Sequence, residues 1–283
     1  VQFDFFKWIN RQDISCEYRN PVNETAWTGL ISSCPFSFNS IIIFMNKFED
    51  FFYNRTHRSI HKWTHYLDIY NKHFGKFVDK DIKFLEIGVW KGGSLDMWAY
   101  CFGENSQILG IDIEPECKNL EKNNIKIEIG DQSDIDFLEK IAAKYGKFDV
   151  ILDDGSHKNN HQIQTLNFAF EHLLSDNGIY LVEDCHTSYF KFYDDGGYKN
   201  PKSFIEHTKN IIDQLNSRNS IEIDHTYFTK NLESIVYYDS IIVLNKEANK
   251  PNLHEITIEN PSIRTIDKFL KKIEELHIEH KDI

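Results

Sequence analysis

The chain has 283 residues, and its 32 Lys and Arg against 44 Asp and Glu leave a formal charge of −12. So acidic a chain has no electrostatic footprint for phosphate backbones, which disfavours a nucleic-acid partner. A hydrophobic content of 41%, with 14% aromatic, excludes wholesale disorder, and no apolar run approaches the ~18 residues of a membrane-spanning helix.

Residues 1–80 form a first zone crowded with aromatics, among them Phe3, Trp8, Trp27, Phe44, Phe48, Phe51 and Tyr53. The chain opens Val1-Gln2-Phe3-Asp4 with neither an initiator Met nor a basic-then-apolar leader, and reads as a trimmed chain. Trp63, Tyr66, Leu67, Tyr70 and Phe74 recur at 3–4 spacing and predict an amphipathic helix over His61–Phe74. Cys16, Cys34, Cys101, Cys117 and Cys185 are odd in number and lack CxxC spacing. That argues against a disulfide framework or a Cys-zinc site, and for a reducing cytoplasm.

Residues 81–246 form the second zone, where short apolar runs alternate with helical stretches. Strands are predicted over Lys83–Gly88, Gln107–Asp112, Ile125–Ile129, Asp149–Asp153 and Gly178–Glu183, with helices over Asp134–Tyr145 and Asn159–Leu174. Successive β-α units specify a doubly wound, Rossmann-like α/β sheet with helices on both faces. Ile235–Tyr238 and Ile241–Asn245, around an Asp239-Ser240 turn, predict an antiparallel hairpin at one edge. The third zone, 247–283, ends in a helix carrying Ile266, Phe269, Leu270, Ile273 and Leu276.

Ligands of such sheets sit outside the carboxyl ends of the strands. The first strand end reads Glu86-Ile87-Gly88-Val89-Trp90-Lys91-Gly92-Gly93, where Trp90 replaces the second glycine of a GxGxxG dinucleotide fingerprint. A nicotinamide oxidoreductase is therefore disfavoured. Glycines at a strand-to-helix turn let the backbone approach a ligand closely, though such turns are also common punctuation. Asp112 at the second strand end can accept both hydroxyls of a ribose. At the third, Asp131 suits a cofactor contact and Asp134 a helix cap.

These strand ends together resemble the class I S-adenosylmethionine-dependent methyltransferases. The resemblance covers roughly residues 60–245 and implies a seven-stranded sheet with the last strand antiparallel. It implies that Glu86, Gly88 and Gly92 hold the methionine portion and Asp112 the ribose. Asp131 and Gln132 would face the adenine, and Asp153 would also belong to the cofactor side.

The fourth strand runs into Asp153-Asp154-Gly155-Ser156-His157 and the fifth into Glu183-Asp184-Cys185-His186-Thr187-Ser188-Tyr189. Convergent carboxylates repel unless a cation lies between them, and hard oxygen ligands favour Mg²⁺ or Mn²⁺. His157, with an ordinary pKa near ~6.5, suits a general base. Helix capping by Asp153-Asp154, a solvated Glu183-Asp184 and a zinc pair from His157 and His161 are the plainer alternatives. The two patterns resemble the metal-dependent sugar O-methyltransferases of antibiotic tailoring, the mycinamicin type. By that resemblance Asp154, Glu183 and Asp184 bind the metal and His157 is the base. His61-Lys62-Trp63-Thr64-His65-Tyr66 resembles a segment preceding the methyltransferase domain, with His65 and Tyr66 closing over the cofactor. Residues 1–80 show no match to the auxiliary domain of those enzymes. Tyr189–Pro201 reads as a lid.

The expected activity is Mg²⁺-dependent methylation of a sugar hydroxyl. Methylation of a catechol-like acceptor and a non-catalytic S-adenosylmethionine-binding module are the alternatives. The Asn-, Lys- and Ile-rich composition points to an AT-rich genome and a surface polysaccharide. The expected partner is a small-molecule or glycan substrate, with a homo-oligomer left open.

Overall fold

The structure, a computed structural model, describes residues 45–55, 58–193, 195–248 and 271. Most of the aromatic N-terminal zone, Cys16, Cys34 and nearly all of the predicted C-terminal helix lie outside the described residues.

Two helices precede the sheet. α1 (Lys47–Asn54) starts in a capping box, with Asn46 and Glu49 each bonding the other's backbone N–H. α2 spans Tyr66–Phe74, so the predicted helix begins five residues late. The reason is Lys62. The segment around it has no regular secondary structure and carries the Lys62 ammonium into the acidic cluster described below.

The sheet follows with β1 (Lys83–Ile87), β2 (Gln107–Asp112), β3 (Ile125–Ile129), β4 (Phe148–Asp153), β5 (Leu174–Val182), β6 (Leu232–Tyr237) and β7 (Ile242–Lys246). Its order is β3-β2-β1-β4-β5-β7-β6, with β7 antiparallel to both neighbours, as expected. The helices are α3 (Gly93–Cys101), α4 (Ile135–Tyr145), α5 (Asn159–His172), α6 (Phe204–Asn216) and α7 (Tyr227–Asn231). One βα unit departs from the expected pattern: β2 and β3 are joined only by a 3₁₀ segment, Pro115–Leu120.

Alternation along the strands sorts the core into two layers. Phe84, Ile108, Val150, Leu152, Leu181 and Val243 face α1, α2 and α3, where Phe48, Tyr70, Phe74 and Trp98 complete an aromatic cluster. The Phe84 and Trp98 rings stack at 4.8 Å. Leu85, Ile151, Tyr180, Val182 and Leu244 face α4, α5 and α6. Residues preceding the sheet thus share one core with it. No helix among the described residues is long and apolar enough to cross a membrane.

The sheet reverses its winding between β1 and β4, which opens a crevice above their carboxyl ends. Register places Ile87 beside Asp153 and Asp153 beside Val182. One step further, Asp154 N–H donates to Ile87 O at 2.9 Å and Glu183 N–H to Asp153 O at 2.9 Å. Gly88, Asp154 and Glu183 therefore stand in a row at the switch point.

Candidate active site

A cleft of about 640 Å³ lies over this switch point. Gly88, Val89, Trp90 and Asp112 line one end, and Asp154, His157 and Asp184 the other. At Gly88, φ is +93° and a Cβ would lie 2.1 Å from Asp154 O, so only glycine fits. Gly92, with φ +73°, turns the chain into α3 beneath the Arg58 guanidinium. Asp112 fixes this loop, because its Oδ2 accepts the N–H groups of Val89 and Trp90 at 2.7 and 3.0 Å.

Glu86 sits below the loop, fully buried. Its Oε2 accepts the Ser94 hydroxyl at 2.9 Å, while Oε1 has no hydrogen-bond partner among the described residues. Burial pushes its pKa up to about 7, with Lys62 opposing and Asp154 adding to the rise. An unpartnered buried carboxylate oxygen under a glycine cradle fits a cationic or hydrogen-bonding ligand group above it.

At the other end, Asp154, His157 and Asp184 present ligand atoms all within 4.8 Å of one another. His157 Nε2 stands 3.9 Å from Asp154 Oδ1 and 3.7 Å from Asp184 Oδ2, and its buried Nδ1 has no partner among the described residues. His157 and Asp184 both hold left-handed backbone, φ +54° and +53°, and Trp90 across the cleft does too at +48°. Non-glycine residues in this region store strain, and here three of them surround one cleft. Two carboxylates and an imidazole facing an open cleft fit a divalent ion.

Glu183 lies one layer deeper, 1% exposed. Its Oε2 accepts from Lys62 Nζ at 2.7 Å and its Oε1 from the Tyr70 hydroxyl. The same ammonium reaches Asp154 Oδ2 at 2.5 Å. Burial would push the Lys62 pKa down, but Asp154 and Glu183 outweigh it and the net shift is upward. Burial raises Glu183 well above the carboxylate range, with Lys62 holding it back. Asp154 thus divides its oxygens, one toward Lys62 and one toward His157. Sequence reasoning missed Lys62 and assigned Tyr70 only to a helix face. A lone lysine amid His61, Trp63 and His65 was the available signal.

Other candidate residues occupy the surroundings. Tyr66 donates to Asp184 Oδ1 at 2.7 Å, and His65 Nε2 lies 2.9 Å from Asp239 O, so both hold the 61–66 segment against the β5 and β7 ends. Asp131 accepts from Ser133 N–H and hydroxyl, each at 2.8 Å, and Asp134 caps α4. Gln132 and Asp153 are buried against each other, with Gln132 Nε2 3.1 Å from Asp153 Oδ1 and its Oε1 accepting Ser156 N–H. Asp131, Gln132 and Asp153 are absent from the residues lining the cleft. His161 bonds Ser156 at 3.2 Å, and His186 bonds Ser240 at 2.5 Å.

No protein-family model matches the chain. It is 35% identical over 168 residues to demethylmacrocin O-methyltransferase of Streptomyces fradiae, across 56% of this chain and 40% of that protein. It is 31% identical over 194 residues to mycinamicin VI 2''-O-methyltransferase of Micromonospora griseorubida, across 64% and 47%. The chain thus spans less than half the length of these two relatives. Among solved structures it resembles the MycE methyltransferase of mycinamycin biosynthesis in complex with Mg and SAH, with TM-score 0.62 and 26% identity, covering 74% of this chain and 57% of that one. MycE with Mg, SAH and mycinamycin VI gives TM-score 0.64 at 22% identity, over 90% and 72%. Seven strands in this order, a glycine turn at the switch point and these likenesses agree: the chain carries the fold of the class I S-adenosylmethionine-dependent methyltransferases and is similar to their sugar O-methyltransferases.

Proposed function

We propose that the chain is a Mg²⁺-dependent S-adenosylmethionine O-methyltransferase acting on a sugar hydroxyl, in residues 81–246, with 1–80 and 247–283 as extensions and the cytoplasm as its compartment. The observation that carries this reading is the single cleft joining the glycine turn and Asp112 to Asp154, His157 and Asp184. Glu86, Gly88, Gly92 and Asp112 hold the cofactor, with Asp131 and Gln132 toward its adenine and Asp153 behind them. His65 and Tyr66 hold the segment that borders the cleft.

Asp154 and Asp184 hold the ion from the cleft wall, backed by Glu183. When bound, the ion stabilises the negative charge that develops on the acceptor oxygen. His157 accepts the hydroxyl proton. Its Nε2, 3.9 Å from Asp154 and 3.7 Å from Asp184, is the nitrogen placed to take the proton, with the carboxylates stabilising the imidazolium, while Nδ1 is buried.

Calorimetry tests the reading. S-adenosylhomocysteine should bind, Asp112→Ala should weaken it, and methyl transfer to a sugar should stop in EDTA and return with Mg²⁺ or Mn²⁺. Binding of NAD in place of S-adenosylhomocysteine would refute it.

A further inference from the structure

A row of aromatic rings leads out of the cleft, and its outer end is exposed among the described residues. The row begins at Trp63, next to Lys62 on the cleft wall. Trp63 stacks on His186 with ring centres 4.8 Å apart and planes 23° apart. His186 meets Phe190 edge-on at 5.3 Å, and Phe190 stacks on Phe192 at 5.1 Å and 20°. Phe192 is 82% exposed, and Tyr198 on the same loop is 75% exposed. The near end is tied to the candidate ion site, since Tyr66, which stacks on Trp63 at 5.7 Å, donates to Asp184 Oδ1.

Rings left this open contribute little to folding, and a contiguous exposed apolar surface beside a cleft marks a binding face. We propose that this row is an acceptor subsite that seats the C–H faces of pyranose rings, so that the substrate is a glycan of two or more sugars. The proposal rests on the sugar O-methyltransferase reading and extends it outward from the reacting hydroxyl.

The chemistry of the loop decides between a glycan and an apolar aglycone. From Tyr189 to Lys202 the sequence mixes aromatic with polar, charged, Gly and Pro residues and contains no Leu, Ile, Val or Met. An aliphatic macrocycle would be matched by adaptable aliphatic side chains and Met. A pyranose instead offers a flat patch of C–H bonds rimmed by hydroxyls, which fits flat rings flanked by donors and acceptors. The loop carries such groups in Lys202 and Asp195, 3.6 Å apart, and in Lys199, whose ammonium lies over the Tyr198 ring. Polarised C–H groups are attracted to the negative face of an aromatic ring.

The test uses the full chain on an array of bacterial oligosaccharides of one to four sugars, with S-adenosylhomocysteine calorimetry in parallel. The wild type should retain oligosaccharides of two or more sugars over the single sugars. Phe192→Ala and Trp63→Ala should each lower retention about tenfold, and Phe192→Tyr should restore it. Phe192→Ala should keep the wild-type Tm and cofactor affinity, because the ring is solvent-facing. A chain that binds S-adenosylhomocysteine but retains no oligosaccharide, or whose retention is unchanged in Phe192→Ala, overturns the subsite. Displacement of the retained glycan by a sugar-free macrolactone reassigns the row to an aglycone and overturns it equally. A chain that binds no S-adenosylhomocysteine overturns the methyltransferase reading instead.

Discussion

Glu86→Gln separates what the buried acid costs the fold from what it does for the cofactor. The Glu86 pKa is raised from 4.5 to about 7, chiefly by burial. An acid whose folded pKa exceeds its unfolded value binds protons on folding. Its contribution is fully present below pH 4.5 and is lost as pH rises through 7. By pH 8 the ionised, desolvated carboxylate should cost roughly 3 kcal/mol relative to pH 4, and between pH 5.5 and 8 about 2 kcal/mol. Glutamine keeps the shape and the bond to Ser94 without ionising. Urea unfolding of both proteins, free of ion and cofactor, should therefore show the stability of Glu86→Gln relative to wild type rising by ~2 kcal/mol from pH 5.5 to pH 8. Comparing the two proteins at two pH values cancels any fixed packing difference. S-adenosylhomocysteine affinity should move the other way, falling in the variant. A stability difference independent of pH would refute the reasoning, since it would mean that Glu86 stays ionised throughout.

Lys62→Met removes the ammonium shared by Asp154 and Glu183, and uncompensated buried carboxylates should cost about 3–5 kcal/mol in urea unfolding at neutral pH. A variant within 1 kcal/mol of wild type, on the order of a surface pair, would show that the clamp does not form. Gly88→Ala drives a Cβ into Asp154 O and should abolish S-adenosylhomocysteine binding by calorimetry; retained affinity would place the cofactor elsewhere. His157→Ala should lower kcat by ~10²–10⁴ with cofactor affinity little changed, and an enzyme within a few-fold of wild type would put the base elsewhere.

The sheet was legible because its strands carry their own signature. β2 and β3 match their predicted limits residue for residue, β2 as a mostly apolar run and β3 as Ile alternating with charged residues, each followed by a polar or glycine turn. β5 was read from Gly178 but begins at Leu174, since Ser175, Asp176 and Asn177 look like a turn. Pairing with β4 at Leu174 and Phe148, a tertiary contact, overrides that local signal. The missing helix between β2 and β3 is of the same kind. Pro115 and the charged residues after it support only a short 3₁₀ turn, which Lys118 ties to β3 by donating to Ile127 O at 2.5 Å, while β2 and β3 still pair in parallel.

The candidate site was legible where chemistry and strand end coincide, and illegible where a residue arrives from outside the sheet. Asp154, His157 and Asp184 lie within a few residues of predicted strand termini, so position and residue type pointed the same way. Lys62 comes from a segment that periodicity assigned to a helix, and only the third dimension shows why it is not helical there. Glu86, Asp154, Glu183 and Asp184 place four acidic groups around one crevice, and Lys62 is the ammonium that bonds two of them. Burial raises the pKa of both Glu86 and Glu183, with Asp154 adding to the rise, so acidity of this degree is expensive in the site. Cationic ligands at the two ends of the cleft would relieve that cost. A cationic cofactor above Glu86 and a divalent ion at Asp154 and Asp184 would each relieve part of the same cost and repel each other, so through the shared acids S-adenosylmethionine should bind less tightly when Mg²⁺ is present, and by linkage Mg²⁺ less tightly with the cofactor. The neutral-sulfur product S-adenosylhomocysteine should show a smaller coupling. Calorimetric affinities for both ligands with and without Mg²⁺ measure it, and equal coupling for the two would show that the sulfonium charge is not sensed by these carboxylates.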